Sequence, residues 1–308
     1  MADEMPSGTY AKVIADSIYD GNRLTTFEVR FHRFVLAEMN THCVFARNSA
    51  SSRAIPAMKQ INKVRESPAF PVEWPHEQKG MQGGDLITED AEMAEVQEVW
   101  RDARDAATDY AEKLVGMKLH KSLANRLIEP FMWHTAVITA TSWQNFFDQR
   151  CSPLAMPEIR VAAEAMHTAY EHSQPDELML GEYHMPYLAI DDYTAELTTQ
   201  ELVQISAARC ARVSYLTQNG KRDPVEDLEM YQRLVKADPM HASPLEHVAT
   251  PAPWNHQTVQ IQSIVDGVEG QQMWGVLGQR KLPKIGKFMG WLQHRHEYEC
   301  RAGHTSYR

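Results

Sequence analysis

A short segment near residue 50 carries side chains that can hold a phosphate. Ser51, Ser52 and Arg53 are consecutive in the run NSASSR. Hydroxyl and backbone N–H groups offer a phosphate neutral donors, and a guanidinium adds a charged, bidentate donor. Clusters of this composition are also common in solvated turns. The segment is therefore either a phosphate-binding turn or a polar turn with a solvated arginine.

Two further arginines stand in surroundings that favour anion binding. Arg126 lies in the segment KSLANRLIEP, on a predicted helix whose other face is leucine-rich, so it is either an anion ligand or an ordinary surface residue. Arg150 ends the aromatic segment TATSWQNFFDQR. An arginine beside aromatic rings either acts on a ligand from a partly desolvated pocket or stacks on a ring as part of the structure.

Histidines cluster twice with acidic or thiol side chains in the second half of the chain. The segment HASPLEH holds His241, Glu246 and His247, in a spacing that matches no strong metal-ligand motif. The second cluster consists of His294, His296, Cys300 and His304. Its first two histidines share a face only on a strand, whereas its last three members share a face only on a helix. We therefore predict no metal site.

Composition and charge exclude several classes of protein. The 308 residues are 43% hydrophobic and 23% charged, as in a globular protein, and the net charge is −10. A negative surface without a basic stripe disfavours polymeric nucleic acid, whereas a small anion needs only a few well-placed arginines. No apolar run is long enough to cross a bilayer, and the acidic N-terminus lacks the apolar core of a signal peptide. Four cysteines in a chain of this length favour reduced thiols and a cytoplasmic location.

The elements that must position these residues are long helices and a few scattered strands. Apolar periodicity predicts strands over 25–31, 134–139 and, less clearly patterned, 258–264. It predicts helices over 34–40, 121–127 (ending before Pro130), 142–149, 158–170, 200–213 and 226–237. A longer helix is expected to follow an N-cap at Thr88 and to stop at Gly116.

The remaining segments connect these elements. Residues 1–23 are predicted to be polar and irregular, 64–86 to form a long functional loop, and 173–197 to be a connector. Long helices with few strands indicate an α+β fold, in which a mixed or antiparallel sheet is flanked by helices.

Together, these blocks resemble the flavin-dependent thymidylate synthases. The central motif of that family is Gln-x-x-Arg-His-Arg-x-x-Ser-x-Asn-Glu-x-Ser-x-Arg-Tyr, and residues 38–53 (EMNTHCVFARNSASSR) lie on it without a gap. Downstream, ANR at 124–126, NFFDQR at 145–150 and AMPEIR at 155–160 are similar to the family's following segments. A third block, ARCARVSY at 208–215 with HASPLEH at 241–247, resembles elements that the family carries upstream of its central motif.

This rotated block order predicts a circular permutation, which domains tolerate when their termini lie close together at the surface. The resulting division has a polar segment at 1–24, a permuted catalytic domain at 25–250 that includes the connector, and an extension of unknown role at 251–308. The implied fold is that of the flavin-dependent thymidylate synthases with permuted blocks.

The resemblance implies a function as well as a fold. It implies conversion of dUMP to dTMP with methylenetetrahydrofolate as one-carbon donor, FAD as cofactor and NADPH as reductant, in a homotetramer. Arg150 is the implied catalytic residue, because negative charge on the uracil ring needs an electrostatic partner. The implied nucleotide-binding residues are Glu38, Ser51, Ser52, Arg53, Arg126 and Arg150. The implied flavin- and folate-side residues are His42, Arg47, Asn48, Asn145, His241, Ser243 and Glu246. We expect these groups to line one pocket, within a chain or across a subunit boundary.

The chain departs from the family motif mainly on the flavin side. Substituted positions of the central motif are Glu38, Thr41, Cys43, Ala46, Ser49 and Ala54. These changes make a dUMP or dCMP hydroxymethylase, using the same folate donor, the nearest rival to a thymidylate synthase. The sequence also allows a non-catalytic nucleotide-binding protein or a metal-dependent hydrolase.

Overall fold

The core of the fold is a five-stranded mixed sheet, in a computed structural model that describes residues 8–213, 222–252, 274–277, 280–285 and 287–301. The strand order is β3-β4-β2-β1-β5. The strands are β1 Tyr10–Tyr19, β2 Asn22–His32, β3 Ala46–Ser49, β4 Trp133–Ala140 and β5 Asp176–Glu177. All neighbours are antiparallel except β1 and β5. The predicted α+β fold is confirmed.

Helices occupy most of the remaining described chain. They are α1 Leu36–Asn40, α2 Ala57–Glu66, α3 Asp90–Gly116, α4 Lys121–Ala124, α5 Gln144–Arg150, α6 Pro157–His172, α7 Ile190–Thr194, α8 Thr199–Arg212, α9 Pro224–Lys236 and α10 His294–Arg301. Short 3-10 helices cover Arg33–Val35, Asn125–Phe131 and Ser243–Glu246. The later strands are β6 Ala249–Pro251, β7 Trp274–Leu277, β8 Arg280–Ile285, β9 Phe288–Met289 and β10 Trp291–Gln293.

The alternation of side chains in β2 divides the protein into two layers. Phe27, Val29 and Phe31 point to one face, where they form the main apolar core with α5 and α6. The intervening residues, such as Thr26 and Glu28, point to the other face, which α8 and the segment before it cover. The polar second face is unusual for a buried sheet surface, and it carries the hydrogen-bonded groups described below.

The hairpin of β1 and β2 corrects the prediction that residues 1–23 are irregular. Asp20 and Gly21 join the strands with φ angles of 46° and 76°. Two positive φ angles match the twist of antiparallel strands, and Asp-Gly is a favoured pair for such a turn. Residues 10–19 therefore form a strand. Its buried and exposed positions alternate only weakly, so the sequence pattern did not indicate it.

Several element boundaries also differ from the predictions. The long helix begins at Asp90 with Glu89 as N-cap, not Thr88, and Gly116 is its last residue rather than a stop beyond it. The helix predicted over 121–127 continues as a 3-10 helix through Pro130. The helix α2 was not predicted and takes the first part of the expected loop at 64–86.

The segment 173–197 does more than connect two halves. It contains β5 and α7, and the backbone N–H of His184 donates to the Ala249 carbonyl at 2.8 Å. The strand predicted at 258–264 lies outside the described residues. Within the described part of the chain, no helix combines the length and apolarity needed to cross a membrane.

Candidate active site

A cleft of about 580 Å³ opens beside the edge strand β3. One wall carries Arg47, Asn48, Ser51 and Arg53, from β3 and the turn that follows it. The other wall carries His241 and Ser243, from the HASPLEH segment. Residues almost two hundred positions apart in sequence therefore meet, as the expected pocket requires.

Asn48 ties the two walls together. Its Nδ2 donates to the Cys210 carbonyl of α8 at 2.6 Å, and its Oδ1 accepts from the Ser243 hydroxyl at 3.3 Å. Asn48 itself is held in the sheet opposite Val137 of β4. The buried amide thus links the central motif to both parts of the third block, and its role in this structure is to join them.

The turn at 50–53 presents alternate residues to opposite sides. Ser51 and Arg53 line the cleft, whereas the Ser52 hydroxyl donates to Glu129 Oε1 at 2.7 Å. Arg126 is exposed and pairs with the same carboxylate at 2.9 Å. Within one chain, Ser52 and Arg126 therefore do not line the cleft with Ser51 and Arg53, and a pocket shared across a subunit boundary stays a prediction.

Arg150 does not line the cleft but contacts His42. Its Nε donates to His42 Nε2 at 3.1 Å, and its terminal nitrogen donates to the Thr41 hydroxyl at 3.1 Å. Burial lowers the pKa of His42 to about 4, and Arg150 and Arg47 contribute to the lowering, so the ring is neutral and accepts this bond. Arg47 in turn donates to the His42 carbonyl at 3.2 Å. Arg150 thus adjoins the Arg47 end of the cleft without lining it.

Three other predicted residues do not line the cleft. Glu38 is half-buried on α1, and Asn145 is exposed and accepts from Gln149 at 3.1 Å. Glu246 is buried and pairs with Lys287 at 3.0 Å and Arg295 at 2.5 Å. Burial alone would raise the pKa of Glu246, but these two cations outweigh it and lower the pKa. Its carboxylate therefore holds the C-terminal region in place.

A buried chain of polar groups crosses the sheet behind the cleft and was not predicted. We call it the polar relay; its members are Ser17, His184, Thr26, Thr139 and His247. Successive contacts are 2.9 Å, 2.7 Å, 2.7 Å and 2.8 Å. Burial lowers the pKa of His184 to about 3 and that of His247 to about 4, so both rings are neutral.

The polar relay fixes the HASPLEH segment to the sheet through its last residue, His247. Only that histidine belonged to a recognised motif. The two threonines are adjacent on neighbouring strands, and strand pairing across more than a hundred residues has no local sequence signal.

A buried ion-pair network holds α8 and was also missed. Arg209 donates to Asp227 at 2.8 Å and to Asp192 at 2.7 Å, while Arg212 pairs with Asp227 at 2.6 Å. The arginines three residues apart in ARCARV share one helix face, which is the signal that could have indicated a common partner. Here the two arginines pair with aspartates of α7 and α9, and neither arginine lines the cleft.

The metal-like cluster near the C-terminus is only partly described. His294 Nε2 contacts the Tyr231 hydroxyl at 2.8 Å, and its Nδ1 contacts Glu297 at 3.2 Å. His304 lies outside the described residues. Among those that the structure describes, no three His, Cys, Asp or Glu side chains are grouped as metal ligands.

Sequence comparison identifies the family. Residues 24–176 match the family model Thy1, described as thymidylate synthase complementing protein. This part of the chain belongs to the family. The match contains the first two blocks in their order along the chain, whereas the third block lies outside it, so the circular permutation stays a prediction. No curated protein matches the chain.

Among solved structures, the chain is similar to a UMP/dUMP methylase, PolB from Streptomyces cacaoi. For the form bound with 5-Br dUMP, identity is 15%, the alignment covers 54% of this chain and 90% of that chain, and the TM-score is 0.44. For the form bound with 5-Br UMP, the values are 16%, 55%, 92% and 0.45.

Proposed function

We propose that the protein is a cytoplasmic enzyme that transfers a one-carbon unit to C5 of a pyrimidine deoxynucleotide, converting dUMP to dTMP. The family membership supports pyrimidine-nucleotide modification as the reaction class. The observation that carries the proposal is the cleft, which joins the central motif to the HASPLEH segment.

Arg53 and Ser51 are the proposed ligands of the 5′-phosphate. Arg53 is exposed at the cleft, and the Ser51 hydroxyl accepts from the Arg53 backbone N–H at 3.3 Å, which shapes the turn. A charged hydrogen bond of this kind contributes about 1.5–3 kcal/mol. The cleft volume of about 580 Å³ lies within the usual range of ligand sites, roughly 300–1,000 Å³.

The residues present fit a flavin cofactor in their chemistry. Arg47 offers a guanidinium for a phosphate, and His241 and Ser243 offer exposed polar groups on the opposite wall. His42 and Asn145 would hold the flavin from the α5 side, where FAD would supply reducing equivalents from NADPH for the transfer from methylenetetrahydrofolate. Two arginines of the family motif are replaced here by Thr41 and Cys43. On this flavin side, Arg47 and Arg150 are the cations that could take their place.

Arg150 is the proposed catalytic residue. Uracil C5 is a weak nucleophile, so the site must stabilise negative charge on the ring during attack. The neutral His42 accepts a hydrogen bond from Arg150 without cancelling its positive charge, as a carboxylate would. A full charge held beside the cleft is what stabilisation of the ring requires.

Arg126 would serve the nucleotide of a neighbouring subunit. It is exposed, outside the cleft of its own chain, and carries the Ala-x-Arg feature that resembles the family's phosphate-binding helix end. We therefore propose a homotetramer in which each cleft is completed by a second copy of the chain.

A spectrum and a product assay test the proposal together. Purified protein supplied with FAD should bind it and show flavin absorption, and with dUMP, methylenetetrahydrofolate and NADPH it should form dTMP. A hydroxymethylated product, from dUMP or dCMP, would identify a hydroxymethylase by mass spectrometry. Nucleotide binding with no flavin binding and no turnover would indicate a non-catalytic nucleotide-binding protein and overturn the proposal.

A further inference from the structure

A second cavity lies behind the turn whose front lines the cleft. Ala50 and Ser52 belong to its wall, whereas Ser51 and Arg53 face the cleft. The other walls come from the ends of β2 and β4 and from α2. This space, which we call the rear cavity, has a volume of about 260 Å³ and has no part in the proposed reaction.

Positive charge predominates in the rear cavity. Its lining includes Arg30 and Lys63 as cations and Glu66 as a carboxylate. Arg33 also lines it, and its guanidinium pairs at 3.1 Å with Glu129, a carboxylate that Arg126 shares. Lys63 makes no ion pair with any residue that the structure describes. The lining thus includes three cationic side chains and one carboxylate.

The positive charge of Arg30 disfavours the charged form of Lys63. Arg30 is buried, and its guanidinium lies 4.9 Å from the ring centre of Trp133. Burial lowers the pKa of Lys63, and Lys59 and Arg30 lower it further. Burial also lowers the pKa of Arg30. Partly desolvated like charges are stabilised when an anion binds between them.

Neutral donors complete the lining. The Gln60 amide and the hydroxyls of Ser67 and Thr135 belong to it. Cations combined with neutral hydrogen-bond donors form the donor set that phosphate oxygens favour. The volume is just below the roughly 300–1,000 Å³ of most ligand sites, which suits a phosphate on a small organic body and excludes a dinucleotide.

We propose that the rear cavity binds a small phosphate-bearing anion, held by Arg30 and Lys63. The site is separate from the proposed nucleotide site and does not depend on the proposed reaction. A ligand there would contact the back of the turn that carries Ser51 and Arg53.

Equilibrium dialysis with labelled inorganic phosphate tests the site. Lys63→Met should weaken rear-cavity binding by about tenfold or more, as loss of a charged hydrogen bond implies. Lys59→Met, one turn earlier on α2 and outside the lining, removes the same charge and is the matched control, which should weaken binding far less. Arg53→Ala should lose only binding at the cleft. Equal binding by Lys63→Met and wild type, or equal losses in Lys63→Met and Lys59→Met, would overturn the proposal.

Crystals soaked with tungstate, a phosphate analogue, provide a second measurement. Anomalous density should lie between Arg30 and Lys63, and density confined to the cleft or the surface would contradict the proposal. Arg30→Lys keeps the positive charge but loses the paired N–H donors of the guanidinium, so the variant should bind phosphate more weakly than wild type. Ribose 5-phosphate that competes with phosphate in the Arg53→Ala protein would indicate a sugar phosphate as ligand; lack of competition would indicate free phosphate.

Discussion

Arg150 and His42 illustrate how a single contact sets the charge of a site. Arg150 keeps its full positive charge because its partner is a neutral ring, and the ring stays neutral because it is buried beside two guanidiniums. Each group therefore depends on the other. Thr41 adds a hydroxyl acceptor to the same guanidinium, at a motif position where the family carries an arginine.

At the residue scale, we expect Arg150→Ala to lower kcat by about a hundredfold or more while nucleotide still binds, because loss of a transition-state donor costs this much. The same change should raise the pKa of His42 above about 4, since a nearby positive charge is removed. Steady-state kinetics and NMR titration of the His42 ring measure the two effects. Gln149→Ala, an exposed neighbour on α5, is the control. Unchanged kcat in Arg150→Ala would contradict the assignment.

At the scale of elements, the antiparallel register of β2 and β4 creates the polar relay. Thr26 lies directly opposite Thr139, and their hydroxyls are 2.7 Å apart. His184 approaches from one side and His247 from the other, so the sheet joins two segments that are distant in sequence. Loss of a central hydroxyl would leave buried polar atoms without partners.

We therefore expect Thr139→Val to lower the free energy of unfolding by about 1–3 kcal/mol, the usual cost of leaving a buried polar group unpaired. Urea unfolding of the variant and the wild type measures the difference. Thr168→Val, an exposed change of the same kind on α6, should alter stability little. In a double-mutant cycle, Thr26→Val should cost less in the Thr139→Val background, and strictly additive effects would argue against the relay.

At the scale of the whole molecule, stability should depend on pH through the buried histidines, of which three are the least exposed. Burial lowers the pKa of His134 and His184 to about 3 and that of His247 to about 4. In the unfolded chain a histidine has a pKa near 6.5, well above these folded-state values. Below pH 6.5 the unfolded state therefore binds more protons than the folded state, and the full free energy of unfolding is present only above that pH. As pH falls toward 4, each of these histidines lowers the free energy of unfolding by up to about 1.4 kcal/mol per pH unit.

Urea unfolding at intervals from pH 7.5 to pH 5 should show this loss, in a range above the titration of most carboxylates. NMR signals of the three buried rings should not titrate in the folded protein over the same range. His172→Gln removes an exposed histidine and should leave the slope unchanged. Constant stability from pH 7.5 to pH 5 would show that the pKa values of these rings are the same in the folded and unfolded states.

The proposed tetramer can be tested by mixing two variants. Arg53→Ala and Arg126→Ala should each weaken nucleotide binding by about tenfold or more, because each removes a charged contact to phosphate. If Arg126 acts across the subunit boundary, mixed oligomers contain some clefts with both arginines intact and regain activity. Mixtures no more active than the separate variants would place both arginines in clefts of the same chain, or outside the site.

The sequence by itself determined the local features of this protein. Apolar periodicity predicted most of the helices and two central strands, because a helix or strand buries one face through residues at fixed spacing. The motif at 38–53, the segments at 124–160 and the third block together indicated the family, which the match over 24–176 bears out.

Only the tertiary structure decided which of the indicated residues meet. Ser51 and Ser52 look equivalent in sequence. In the structure Ser51 lines the cleft and Ser52 donates a hydrogen bond to Glu129, because neighbouring residues of the turn face opposite sides. Thr26 and Thr139 carry no motif, and their importance follows from a strand register that joins distant segments. Contacts between such segments depend on the packing of the whole chain, so no local spacing could predict them.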